Sequence, residues 1–216
     1  MRGFTTIIEN RNSEYVRCNG LLVPFPELAP TLRNFVEPAV YFSPEVPKPF
    51  DFSLSGSLTK IRFGNRHFGV TTQHQRMQFG VAFDHCQLGI LNYQTQAIVS
   101  SGMAVGPADE GLDLVLYDFS QPVASGNLSK HGWYGIGPDV RATPAADIVM
   151  AIGYPSELNE IDYSKQSLGA SPFCVYGEMA SPSTNARLTF TTDCPMESSP
   201  SGMSGGSVFG VAKSMH

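Results

Sequence analysis

The sequence predicts an all-β protein assembled from short strands, and three observations predict it. Charged residues make up 15% of the chain, well below the roughly 25% of an average globular protein. Glycine and proline are abundant, 21 and 16 among 216 residues, which favours turns over long helices. From Leu54 onward, short alternating or apolar runs are bounded by Gly, Asn, Ser and Pro, and no convincing amphipathic helix interrupts them.

Residues 1–53 come first. Seven prolines lie between 22 and 50 (Pro24, Pro26, Pro30, Pro38, Pro44, Pro47 and Pro49). Proline lacks an N–H and fixes φ, so the stretch is expected to be an extended arm, with neither a continuous helix nor a central strand. Residues 54–120 read as a first β unit. Its predicted strands are 54–63, ending in the alternation Lys60-Ile61-Arg62-Phe63; 67–72, ending β-branched; 78–83, with Phe79, Val81 and Phe83 on one face; 97–103, around Ile98-Val99; and 112–119, apolar from Leu114 to Tyr117. Residues 121–146 are rich in Gly, Pro and Ser and read as a linker pinned by the single tryptophan, Trp133. Residues 147–216 read as a second β unit, with strands at 147–153 (apolar from Ile148 to Ile152), 173–179, 187–193 (Leu188 and Phe190 alternating with threonines) and 207–212. Strands this short and evenly spaced suggest sandwich or barrel architecture.

Composition narrows the function. The net charge is −5 and there is no Lys/Arg run, so nothing draws the chain to phosphate backbones or anionic lipid, and no nucleic-acid or membrane partner is expected. No apolar run approaches the ~18 to 20 residues of a membrane helix, and the N-terminus lacks a basic stretch followed by a hydrophobic one, so a cytoplasmic location is expected. Cys18, Cys86, Cys174 and Cys194 show no CxxC spacing and are expected to be free thiols. A Cys174–Cys194 disulfide is the alternative, and it requires an oxidising compartment. No His/Cys/Asp cluster has ligand spacing, so no metal or organic cofactor is implied.

The segment Ser201-Gly202-Met203-Ser204-Gly205-Gly206-Ser207-Val208-Phe209 carries the chemistry. Glycines on both sides of a serine, leading into a β-branched and aromatic run, describe a tight turn that opens into a strand. Glycine at 202 lets its own N–H and that of Ser204 converge as an oxyanion hole. A serine needs a base. His74 ends the run Phe68-Gly69-Val70-Thr71-Thr72-Gln73-His74, where a strand end can present an imidazole to a cleft. His67, His85, His131 and His216 are expected to be solvated or locally hydrogen-bonded. The imidazole needs a buried carboxylate to orient it, and Asp113 begins the otherwise apolar run Leu112-Asp113-Leu114-Val115-Leu116-Tyr117.

Together these segments resemble the chymotrypsin/trypsin-like serine peptidase superfamily. Phe68 to His74 stands where that family has apolar-Val-Thr-Ala-Ala-His. Leu112 to Leu116 is similar to its Asp-Ile-Ala-Leu-Leu strand, and Gly202 to Gly206 to its Gly-Asp-Ser-Gly-Gly turn. The order His, Asp, Ser is the family's own, with spacings of 39 and 91 residues. Ala151-Ile152-Gly153-Tyr154-Pro155 weakly resembles the Gly-Tyr-Pro segment of the Deg-type and glutamyl-endopeptidase-like branches. The resemblance implies two six-stranded antiparallel β-barrels and a serine endopeptidase acting on a peptide or protein substrate. It implies Ser204 as nucleophile, His74 as general base then acid, Asp113 as the group orienting the ring, and Gly202 and Ser204 as oxyanion donors. It also implies a substrate pocket floored near Glu197 to Ser199, with Ser198 and Ser199 contacting substrate.

The chain departs from that pattern in three places. Met203 replaces the aspartate that pairs with a newly cut N-terminal amine in zymogen-activated members, so that mode of activation is not expected. Gln75 replaces the cysteine after the histidine, removing the usual disulfide there. The sequence ends 12 residues after Ser204, where the family has two further strands, so the second barrel is expected to be incomplete, with an open edge inviting a strand-adding partner or self-association. The alternative function is therefore a catalytically inactive or truncated peptidase-fold binding or regulatory module. G-x-S-x-G also marks the nucleophile elbow of α/β-hydrolases, but that fold needs an acid and then a histidine after the serine, and only His216 follows.

Overall fold

The structure, a computed structural model, describes residues 14–42, 52–77, 87–95, 97–102, 104–106, 112–137, 148–162, 164, 167–179, 190–191 and 201–211. The chain folds as an all-β protein with a few single-turn helices. Tyr15–Cys18 (β1) and Leu21–Pro24 (β2) form a hairpin. Asn19 and Gly20 turn it, at φ of 50° and 84°, a region these two residue types tolerate. After a 3₁₀ turn at Phe25–Glu27 comes a short helix, Leu28–Arg33 (α1).

Val36–Phe42 (β3), Phe52–Phe63 (β4), Arg66–Thr71 (β5), Gln87–Asn92 (β6), Ala97–Ser100 (β7), Ala104–Val105 (β8) and Val115–Asp118 (β9) form one curled antiparallel sheet in the order β7-β6-β3-β4-β5-β9-β8. Tyr134–Gly135 (β10) joins β4 in parallel. Two one-turn helices follow strands of this sheet, Gln73–Met77 (α2) and Ser120–Ala124 (α3). A smaller antiparallel sheet contains Ile148–Gly153 (β11), Phe173–Met179 (β14), Phe190–Thr191 (β15) and Ser207–Val211 (β16), in the order β15-β14-β11-β16. Asn159–Asp162 (β12) and Ser167–Ala170 (β13) form a separate hairpin.

The N-terminal segment corrects the expectation of an arm. β3 lies inside the larger sheet, between β4 and β6, and its first six residues are buried. Pro38 is tolerated there because the β3–β4 register shifts between Pro38 and Val40, and pairing with β6 begins only at Val40. The missing N–H therefore falls at a bulge, where no ladder bond is lost. Pro30 is the third residue of α1, inside the first turn, where the N–H has no intrahelical partner.

Other expectations shift as well. β9 starts at Val115, so Leu112 to Leu114 precede the strand. β7 ends at Ser100. Of the predicted strand 187–193 only Phe190–Thr191 is described, and the strand predicted at 78–83 lies outside the described residues.

Two cores form. Ala39, Tyr41, Leu58, Leu88, Val115, Tyr117, Phe119 and Trp133 fill the first, inside the curled sheet. Leu28, Leu32, Phe35 and Val36 pack against Ile148, Met150 and Ile152 of β11 in the second, so the residues between β2 and β3 close the smaller sheet. Trp133 is buried, and its indole N–H donates to Ser129 O at 2.9 Å. His67 is not solvated. It is buried, edge-to-face on Trp133 with ring centroids 5.1 Å apart, and burial lowers its pKa, the neighbouring Arg62 charge adding to the effect.

Candidate active site

β5 pairs with β9 with Thr71 opposite Val115. Continuing that antiparallel register past the strand ends brings residue 113 opposite residue 73. Asp113 thereby arrives beside α2, and its Oδ1 accepts the His74 backbone N–H at 2.9 Å while Oδ2 contacts His74 Nδ1. With Nδ1–H turned to the carboxylate, Nε2 is left as an acceptor, and it lies 3.1 Å from Ser204 Oγ.

The carboxylate is less buried than the sequence suggests: the His74 and Asp113 side chains are 50% and 51% exposed. Leu112 and Leu114, whose apolar character suggested burial, are themselves exposed. Partial desolvation pushes the Asp113 carboxyl up. The hydrogen bonds from the His74 ring and amide and the His74 charge outweigh it, so the group sits below its ordinary value.

Ser204 stands in the turn 201–206, which leads into β16. Gly202 and Gly205 have φ of +92° and +78°, where a Cβ is strained. A Cβ at 202 would also sit 2.8 Å from Tyr154 O. Three elements grip this turn. Ser57 of β4 donates its N–H to Ser204 O and its hydroxyl to Gly202 O, both at 2.9 Å, and its oxygen accepts the Tyr154 N–H at 2.8 Å. Thr59, two residues along β4, donates to Gly205 O at 2.8 Å, and Ser207 Oγ lies 2.7 Å from it. Because Thr59 spends its one proton on Gly205, Ser207 is the donor in that contact. From the other side, Ser156 N–H donates to Ser201 O at 2.8 Å, and Gln75 Nε2 reaches Ser204 O at 2.5 Å.

Neither the Gly202 nor the Ser204 amide N–H donates to another backbone group among the described residues. Glu197, Ser198 and Ser199 lie outside the described residues, as do His85, His216, Cys86 and Cys194. His131 is exposed, and Cys18 and Cys174 are free thiols.

Ser57, Thr59 and Gln75 were not singled out as site residues from the sequence. Ser57 and Thr59 carried a faint signal, hydroxyls two apart on one face of a predicted strand. A cleft of about 620 Å³ lined by Arg33, Glu37, Lys60, Tyr93 and Tyr154 is separate from the triad residues. Among the described residues, no group of three or more His, Cys, Asp or Glu side chains could hold a metal ion, and no helix is long and apolar enough to cross a membrane. No protein-family model matches the chain, and no curated protein matches it.

Proposed function

We propose that the chain is a serine endopeptidase-like hydrolase of the two-barrel, chymotrypsin-like kind, with the curled sheet as one barrel and the smaller sheet as part of the second. One observation carries the reading: a single imidazole lies between a carboxylate 39 residues away and a serine hydroxyl 130 residues away.

In this mechanism His74 Nε2 takes the proton as Ser204 Oγ attacks the carbonyl carbon of a peptide bond. The new C–O bond pushes the carbonyl electrons onto oxygen, which turns toward the N–H groups of Gly202 and Ser204. Asp113 holds the ring in the tautomer that can accept a proton and stabilises the imidazolium formed. His74 then protonates the leaving amine, the C–N bond breaks, and an acyl-serine remains. A water deprotonated by His74 attacks that ester and releases the acid. Ser57, Thr59 and Gln75 hold the nucleophile turn in place, the positioning that such chemistry depends on.

A fluorophosphonate probe tests this directly, because it phosphonylates only a serine whose proton can be removed as fluoride leaves. Wild type is expected to be labelled and Ser204→Ala to be unlabelled. A folded but unlabelled wild type overturns the reading in favour of a peptidase-fold binding module.

A further inference from the structure

We propose, resting on the hydrolase reading above, that Gln75 is a positioning residue: its side-chain amide ties the turn carrying His74 to the backbone carbonyl of Ser204 and so sets the distance between imidazole and hydroxyl. Gln75 is 2% exposed, and an amide buried that deeply is costly unless both its ends are satisfied. Both are. Its Oε1 accepts the Thr72 N–H at 3.2 Å and the Thr71 hydroxyl, which in turn accepts from Tyr41 OH at 2.8 Å. Its Nε2 donates to Ser204 O at 2.5 Å. One side chain thereby spans 129 residues of sequence, from the residue after the base to the nucleophile's own peptide group.

The acceptor end fixes the glutamine to residues preceding His74, through a chain of hydroxyls that starts in β3 and polarises along its length. The donor end meets the same carbonyl that Ser57 N–H holds from β4. Ser204 is thus referenced to the larger sheet twice, and among the described residues the Gln75 bond is what ties its backbone to the turn that bears the base, the His74 ring meeting only its hydroxyl. The surroundings are shaped for this contact. Gly56, at φ +73°, lies against the amide, and a Cβ there would come within 2.9 Å of Gln75 Cδ. Where the peptidase resemblance expects a cysteine, this chain places a group that contacts the nucleophile turn itself.

Gln75→Glu separates positioning from packing. It keeps the shape, and its protonated carboxyl offers the donor to Ser204 O and the acceptor that the amide uses here, whereas the ionised carboxylate offers no donor to Ser204 O and repels it. Inactivation by the fluorophosphonate probe is measured for wild type and variant from pH 5 to pH 9, separating the maximal inactivation rate from the probe's half-saturating concentration. Relative to wild type, the variant's maximal rate is expected to fall by roughly tenfold to a hundredfold on the alkaline side. It is expected to recover toward parity at the acid end, with the half-saturating concentration within about threefold throughout.

A ratio that stays near one at every pH overturns the proposal. So does a change confined to the half-saturating concentration, or a fall that tracks loss of circular-dichroism signal. Gln75→Met, apolar and of similar size, is expected to show the alkaline loss at all pH values, and an unchanged rate in that variant is equally fatal. Failure of both variants to fold assigns Gln75 a structural role and overturns the positioning one. An unreactive wild type is a different failure, that of the hydrolase reading itself.

Discussion

Two carboxylates of this protein each use both oxygens on a basic partner and its surroundings, and they do so in opposite environments. Glu37 accepts from Lys60 Nζ at 2.8 Å and from Tyr93 OH at 3.0 Å, with both charged side chains only 11% exposed. Asp113 accepts from the His74 ring and the His74 amide, with both side chains about half exposed. The first pair joins adjacent strands, β3 and β4, in the wall of the cleft that Tyr154 also lines. Burial there sets each charge mainly against the other, with little water left to screen them. The second pair stands at a strand end, where water already screens it, so it adds little to the fold. What it supplies is direction: one carboxylate accepts from both the amide and the ring of one residue, which holds the imidazole with Nε2 turned to Ser204. The same chemical groups serve cohesion when dry and aim when wet.

The largest effect expected from this contrast is on catalysis. Asp113→Asn should lower the turnover of an ester or peptide substrate by about 10⁴-fold, the scale of the same change in the serine-peptidase template. An amide can meet Nδ1 with its N–H₂ end, which favours the tautomer carrying the proton on Nε2, and that tautomer cannot accept the Ser204 proton. The melting temperature should move little. A loss under about tenfold in single-turnover measurements would show that the carboxylate does not orient the ring and would break the comparison.

Next in size is the mirror experiment at the buried pair. Lys60→Met should destabilise the fold by about 3 to 5 kcal/mol, because it leaves a buried carboxylate without its counter-charge. Denaturant midpoints measure this, and probe reactivity of the fraction still folded should match wild type. Replacing Glu37 and Lys60 together by Leu and Met should recover most of the loss. If Lys60→Met costs no more than an exposed ion pair does, about 0 to 1 kcal/mol, burial is not what distinguishes the two pairs.

These contrasts also mark what the sequence made legible. The Ser-Gly turn could be read because its chemistry is local: the glycines at 202 and 205 occupy the positive φ that the residue type announces. His74 could be read because a β-branched strand stops just before it. β3 could not, since the rule that bars proline from inner strands assumes a ladder on both sides, and Pro38 meets a register shift on one side and no β6 pairing on the other. Gln75, Ser57 and Thr59 left almost no trace, because their partners are 129, 145 and 146 residues away, and nothing local encodes such a contact. The exposure of Asp113 departs from what its neighbours suggest for a related reason. Apolar neighbours in sequence imply burial only when a strand continues through them, and β9 begins two residues later.

The smallest effect concerns pH, and it sharpens the comparison from the other side. The hydrogen bonds and charge of His74 outweigh desolvation and hold the Asp113 carboxyl below its ordinary value of 3.8. A group depressed in the folded state binds fewer protons there than in the unfolded chain, so its contribution to stability is present above the unfolded value and is lost as pH falls through the folded one. Melting temperatures of wild type and Asp113→Asn, compared from pH 6 to pH 2, should therefore differ slightly at the upper end and converge at the lower. A gap that widens on acidification would mean that the carboxylate is strained in its place. Convergence would leave one residue with a large effect on turnover and little on folding, as a half-exposed carboxylate that aims a half-exposed ring without anchoring the sheet must have, since solvent that screens its charge from the fold does not relax the two directed bonds it accepts.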